Sequence, residues 1–356
     1  MRNLLFCFIS SHYSGHSSEL SRELRRLFPS ARLFGSSGSG IVGAGREEED
    51  QPSLSLLGGE TPDVRTEAFW LGDGTDGEWL DGLEVQPEHQ PLFFLLGDPF
   101  HKKLQQCISD LDEAYPAAPK IGGLSSGMAG PMQSSLFLDG SVHKQGTIGL
   151  AVYGDIAMTP IVAQGCIPLG KAMQVTRARD NLVLELDGLP ATKALQQLAE
   201  TLPARVFESF QRMPMVGIHP PSVSARPGPG DFLVRNVLGI SRGEPGLLIG
   251  AHVSKGQIIQ FHLRNRESAV TELESALELA RARNTASAAC LLFSCIGRGR
   301  RLYDRPGFES SLFLSQFPGT PMAGFFCNGE IGPVRGNTFV HGYTSAYGII
   351  GPRDWS

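Results

Sequence analysis

The chain has 356 residues, 41% of them hydrophobic and 19% charged, enough for a sizeable core spread over two domains or two halves of one. A formal net charge of -5 with no basic stripe argues against a nucleic-acid partner. The six cysteines, at 7, 107, 166, 290, 295 and 327, form no CxxC pair and suit reduced, buried thiols in a cytosolic compartment.

Residues 3–10, Asn-Leu-Leu-Phe-Cys-Phe-Ile-Ser, are too short to span a membrane and read as a core strand. A helix from Ser17 to Phe28 follows, with Leu20, Leu24, Leu27 and Phe28 on one face. Strand 31–34 then ends in Gly35-Ser36-Ser37-Gly38-Ser39-Gly40-Ile41-Val42-Gly43. The order recurs in strand 91–96, a helix over 101–114 and Ile121-Gly122-Gly123-Leu124-Ser125-Ser126-Gly127. A third, partial recurrence is helix 267–283, strand 289–295 and the segment 321–332. The repeated strand terminus, apolar and then Gly, Ser or Cys beside Gly, suggests a duplicated α/β unit, or a sheet that reuses one turn type.

Between the repeats the sequence is rich in strands. Residues 134–140 are expected to pair with 146–153 through an Asp139-Gly140 turn. Strands are expected over 158–163, 174–176, 182–186, 231–235 and 257–263, with a helix from Pro190 to Leu202. Residues 213–230 contain five prolines and read as a loop or lid. The main domain boundary is placed near residue 155.

The last seventy residues gather the chemistry. Strand 289–295 runs into Ile296-Gly297-Arg298-Gly299-Arg300-Arg301, then come Gly324-Phe325-Phe326-Cys327-Asn328-Gly329-Glu330 and His341-Gly342-Tyr343-Thr344-Ser345. Polar residues at glycine-flanked strand ends describe the rim of a small-molecule pocket; the bland alternative is strand ends tied off by turn glycines. Arg298 can clamp a carboxylate, or pair with Glu330. Cys327, with His341 as base, is a candidate nucleophile, although a buried structural thiol is the more frequent outcome. Zinc on Cys295, Cys327 and His341 lacks a short chelating spacing. Residues 38–43 match GxGxxG, but no apolar-periodic helix follows. The next residues include Glu47-Glu48-Glu49-Asp50, which would repel a pyrophosphate and read as a solvated turn. No P-loop motif occurs.

These motifs carry a resemblance. Leu33-Phe34-Gly35-Ser36-Ser37-Gly38 with the acidic Glu47-Glu48-Glu49, Gly122 to Gly127, Gln164-Gly165-Cys166-Ile167-Pro168-Leu169-Gly170, Leu186 to Ala191, Phe232 to Arg235 and the three C-terminal motifs resemble the FIST (F-box and intracellular signal transduction) sensory family, in both its N and C domains. The resemblance implies intracellular sensing of small ligands such as amino acids, with output from attached domains or, in eukaryotic members, an F-box. Here no F-box, kinase, cyclase or methyl-accepting segment is recognisable. The chain also begins directly at the first strand, without the residues that usually precede it.

The expectation is a mixed α/β (α+β) protein of two related halves with β-sheets flanked by helices, a FIST N-like domain over 1–155 and a FIST C-like domain over 156–356. It would be a cytoplasmic, non-enzymatic, amino-acid-like ligand sensor without metal or cofactor, nucleic acid or membrane, its output supplied by a protein partner. The expected ligand-binding residues are Cys295, Arg298, Cys327, Asn328, Glu330, His341 and Thr344, with Ser125 and Ser126. Two alternatives stand beside it: a protein-recruiting scaffold of an F-box-type ubiquitin-ligase pathway, and a cysteine-dependent enzyme.

Overall fold

Three times in the chain a buried strand passes through helix into a second strand that pairs with it in parallel. The pairs are Asn3–Ser10 with Ala31–Gly38, Leu92–Gly97 with Lys120–Leu124, and Ala289–Cys295 with Met322–Cys327. The first two crossovers are the helices Ser17–Leu27 and Leu104–Ala114; the third is made of Arg300–Tyr303 and Phe308–Gln316. Each copy continues into a hairpin and then a strand that returns antiparallel to its first strand. These returning strands are Leu54–Glu60, Thr147–Gly154 and Ser345–Gly351. The computed structural model that shows this describes residues 3–75, 79–223, 227–228, 230–283 and 287–353.

The hairpins do not stay with their own copy. That of the first (Gly40–Gly43 and Arg46–Glu49) joins Met322–Cys327 of the third. That of the second (Leu136–Leu138 and Ser141–His143) joins Ala31–Gly38 of the first. That of the third (Glu330–Val334 and Asn337–His341) joins Lys120–Leu124 of the second. This cyclic exchange locks three sheets around one core, since alternate side chains of a strand point to opposite faces. Phe6, Phe8, Phe94, Leu96, Leu291, Phe293 and Phe325 meet inside. The opposite faces take helices: Leu5, Cys7 and Ile9 cluster with Leu24, and Phe93 and Leu95 with Ile108 and Leu111.

One detail marks the three copies as the same structure. Gly35, Gly122 and Gly324 are in register with Cys7, Leu95 and Leu292, and a Cβ on each would lie 1.8, 1.7 and 1.8 Å from that partner's carbonyl oxygen. Only glycine tolerates such an approach. The echo of strand ends in the sequence therefore reflects a backbone contact made three times.

The chain falls into two compact units: Met1–Ala163 together with Glu274–Ser356, and Gln164–Leu273. The mixed α/β class with helix-flanked sheets holds, but the internal relationship is threefold and lies within the first unit. A single cut near residue 155 does not describe these units, because the chain beyond Leu273 returns to the first.

The second unit is built differently. Cys166–Arg179, Ile258–Arg264, Met215–His219, Leu233–Ile240, Leu247–Ile249 and Leu182–Leu186 pair in that order, all antiparallel, and the last pairs back to the first. Closing the ring removes the exposed edges of an open sheet. Val175, Val183, Leu186, Val216 and Phe261 fill its core with Ala194, Leu198 and Phe210 from the helices Ala191–Thr201 and Ala204–Arg212.

Three local expectations change. Asp139 and Gly140 do form a turn, both with positive φ, but its strands are Leu136–Leu138 and Ser141–His143. Thr147–Gly154 is buried along nearly its whole length and needs a neighbour on each side, which Leu92–Gly97 and Val64–Leu71 supply. Part of the proline-rich stretch 213–230 is the buried strand Met215–His219; five residues between Pro214 and Pro220 are too few to show a period. Residues 224–226 and 229 of that stretch lie outside the described residues. The acidic run is likewise a strand, Arg46–Glu49, and not a solvated turn.

Candidate functional site at the strand ends of the first unit

The parallel pair Ala289–Cys295 and Met322–Cys327 ends level, Cys295 beside Cys327, and the antiparallel Ser345–Gly351 sets Ser345 beside Ser294. Most of the expected site residues collect at this end. Arg298 turns inward and is completely buried. Its Nε donates to Glu309, its NH2 group to the Tyr303 hydroxyl, and its NH1 group to the Tyr343 carbonyl at 3.1 Å. The Glu309 carboxylate also accepts from Tyr303 (2.9 Å), Ser294 (2.6 Å) and Ser345 (3.0 Å). Burial opposes the charge on Arg298, but Glu309, with Tyr303 behind it, more than offsets this and the net pKa shift is upward. The carboxylate that Arg298 meets is thus the protein's own, Glu309 and not Glu330. Breaking a buried pair of this kind typically costs about 3–5 kcal/mol, so its role is to hold the strand end.

Glu330 is fully buried. Its Oε2 accepts the Thr344 N–H at 3.1 Å, while Oε1 has no partner. Burial is the main cause that lifts its pKa to about 8, against the pull of the Thr344 amide, Arg298 and the Cys295 thiol. Burial thus favours its protonated form. Cys295 Sγ accepts the backbone N–H groups of Gly297 (3.5 Å) and Tyr343 (3.3 Å). Cys327 is fully buried, and burial, with Glu330 and Cys295 adding, holds its thiol well above the usual range. That is the opposite of what an activated nucleophile needs. Thr344 is buried and donates its hydroxyl to the Gly342 carbonyl, and His341 is buried with Nε2 at 3.0 Å from the Gly332 carbonyl. Asn328 is exposed, and its amide holds the Leu124 carbonyl.

Ser125 and Ser126 come from the second copy and knit the three strand ends together. The Ser125 hydroxyl lies 2.8 Å from that of Ser36, and Ser126 donates to the Phe326 carbonyl and accepts the Ser39 N–H. Immediately beyond them is a cleft of about 450 Å3 lined by Ser11, Ser14, Gly127, Met132, Gln133 and Lys144 among others. The Lys144 ammonium donates to the Ser17 and Ser135 hydroxyls at 3.0 Å and to the Ser14 carbonyl at 3.4 Å. All three partners are neutral, and burial alone pushes its pKa down.

Lys144 stands outside every glycine-rich motif, so nothing in the sequence singles it out. Two carboxylates that the sequence showed only as part of an acidic run also act here. Glu47 Oε1 accepts the Ser310 N–H at 2.7 Å and Glu49 Oε1 the Arg300 N–H at 2.9 Å, so each caps the start of a helix. Their i, i+2 spacing, one face of a strand, was the available signal. Glu47 is buried with Oε2 unpartnered, and burial, with Glu309 adding, raises its pKa to about 7. Among the described residues no group of acidic, cysteine and histidine side chains is arranged to hold a metal ion, and no helix is long and apolar enough to cross a membrane.

Comparison with known proteins adds the following. Residues 3–189 match the FIST N domain and residues 165–333 the FIST C domain. The uncharacterized protein Rv0628c of Mycobacterium tuberculosis is 30% identical over 342 residues, covering 96% of this chain and 89% of that protein. The uncharacterized protein Mb0898c of Mycobacterium bovis is 31% identical over 343 residues, covering 96% and 88%. The F-box/LRR-repeat protein At5g63520 of Arabidopsis thaliana is 29% identical over 121 residues, covering 29% of this chain and 23% of that protein.

Proposed function

The chain belongs to the FIST family of signal-transduction sensory domains, and on that premise we propose that it senses a small carboxylate-bearing metabolite, of amino-acid type, in the cleft beyond Ser125 and Ser126. The observation that carries the reading is Lys144. It is a partly buried cation on a 450 Å3 cleft whose three hydrogen-bond partners are all neutral. A partly buried cation with only neutral partners favours an anion, and a ligand carboxylate is the right size and charge to supply one. The hydroxyls of Ser11 and Ser14 and the amide of Gln133 line the same cleft and can orient the rest of a small zwitterion.

In this reading Arg298, Cys295, Cys327, Glu330 and Thr344, none of which lines the cleft, hold the strand ends and do not touch the ligand. The sensor works by binding without turnover, and its output passes to a separate protein. Thermal unfolding against a panel of amino acids and other small carboxylates tests this. A ligand at a hundred times its dissociation constant stabilises the fold by about 2.7 kcal/mol, a shift of some degrees. The expected result is a selective hit that Lys144→Met removes while the unliganded melting temperature stays close to that of the parent. A panel without hits, or a hit that survives Lys144→Met, overturns the assignment.

A further inference from the structure

The three copies of the repeat differ at one edge. In the second sheet the returning strand Thr147–Gly154 is covered on its outer side by Val64–Leu71, antiparallel. In the third, Ser345–Gly351 is covered in the same way by Ala157–Ala163. In the first, among the described residues, the sheet stops at Leu54–Glu60. Burial follows the difference. Thr147 to Val152 and Ser345 to Ile350 are buried throughout, whereas Leu54 and Leu56 are 43% and 41% exposed and Gly58, Gly59 and Glu60 are open to solvent. Every strand of the described residues already has its place in a sheet, and the next one along the chain, Val64–Leu71, belongs to the second. A bare, apolar edge of this kind is a template for strand addition.

We propose that the free edge of Leu54–Glu60 takes up an extended segment of a partner polypeptide, antiparallel, as the sixth strand of the first sheet. The internal repeat specifies its chemistry. Leu56 is paired with Cys7 as Gly149 is with Leu95 and Tyr347 with Leu292, and these are the residues beneath the three close-approach glycines. The positions facing Leu54, Leu56 and Glu60 therefore correspond to Leu71, Phe69 and Arg65 in the second sheet. In the third sheet the residue facing Tyr347, the equivalent of Leu56, is Ile161. The matching segment carries a basic residue for Glu60, then bulky apolar residues four and six positions later. A second copy of this chain is a poorer fit. Its Gly58-Gly59-Glu60 end would bring glycine or a carboxylate to Leu54 in the registers centred on Leu56 or Leu57.

The test uses the full chain and a synthetic peptide with the sequence Val64–Leu71, alongside the same peptide N-methylated at alternate residues. The unmodified peptide is expected to bind saturably and to slow hydrogen exchange across Leu54–Glu60, with the methylated one inactive because strand addition rests on backbone hydrogen bonds. Leu56→Lys, at an exposed position, should weaken binding by at least about tenfold and leave the carboxylate response of the cleft intact. Absent protection, equal binding of both peptides, or unaltered affinity in Leu56→Lys overturns the proposal. So does protection that grows with protein concentration alone together with a dimer mass, which would assign the edge to a second copy.

Discussion

Glu330 is the residue at which this cluster departs most from an ordinary core. A carboxyl with its pKa raised from 4.5 to about 8 stays protonated in the folded chain over a range in which the unfolded chain has released its proton. The unfolded state then binds fewer protons, so stability falls as pH rises from about 4.5 and levels off above about 8. Glu47, raised to about 7, works in the same direction over a narrower window. At about 1.4 kcal/mol per pKa unit, the Glu330 effect amounts to a few kcal/mol. Urea midpoints measured from pH 5 to pH 8 should fall in the parent protein and fall clearly less in Glu330→Gln. Equal slopes in the two would mean that Glu330 is ionised and its Oε1 solvated.

At the scale of elements, the three parallel pairs depend on glycine. A methyl group on Gly35, Gly122 or Gly324 would overlap the neighbouring strand's carbonyl oxygen, and the strands would have to separate to admit it. Each Gly→Ala substitution is therefore expected to cost more than the usual one or two kcal/mol, in the range of about 4 kcal/mol that marks a severe steric lesion. Gly59→Ala, with nothing within 4 Å of the added carbon, is the control and should be near neutral. Denaturant midpoints of the four variants decide the point; tolerance of all three would remove the contact as the reason for the repeat. These glycines and the apolar runs before them are local features, and they were legible in the sequence. So were the helices Ser17–Leu27 and Leu104–Ala114, whose apolar face repeats every turn. The exchange of hairpins was not, because pairing Gly40–Gly43 with Met322–Cys327 joins segments nearly the whole chain apart and leaves no local mark. The candidate site shows the same division. The glycine-flanked polar residues do converge, but Arg298 looked like a ligand clamp only because its partner, Glu309, lies on a helix whose start bears no sequence tie to the strand end.

At the scale of the whole molecule, the closed ring of strands is inserted in the sequence between the two segments that build the threefold unit. Among the described residues no strand between Gln164 and Leu273 takes part in the three sheets, and the clusters to which Phe6 and Phe325, Phe93 and Leu111, and Leu5 and Leu24 belong draw on residues outside that span. The chain also enters and leaves the ring at one place. The Ser268 hydroxyl donates to the Gly165 carbonyl at 2.9 Å, and the Gln164 amide donates to Glu272 at 3.0 Å, both from the first turns of the helix Arg266–Arg283. Gly165 and Arg266 can thus be joined by a short glycine linker with little loop-closure cost. A variant lacking Cys166–Asn265 is expected to fold cooperatively, with far-UV and near-UV circular dichroism of an ordered protein. Because Lys144, Ser125 and Ser126 lie in the first unit, it should also keep any thermal response to the carboxylate that the parent senses. An expanded variant with helical signal but no near-UV signal would show instead that the ring completes the folding of the threefold core. A well-folded variant that has lost the response would assign the ring a direct part in sensing.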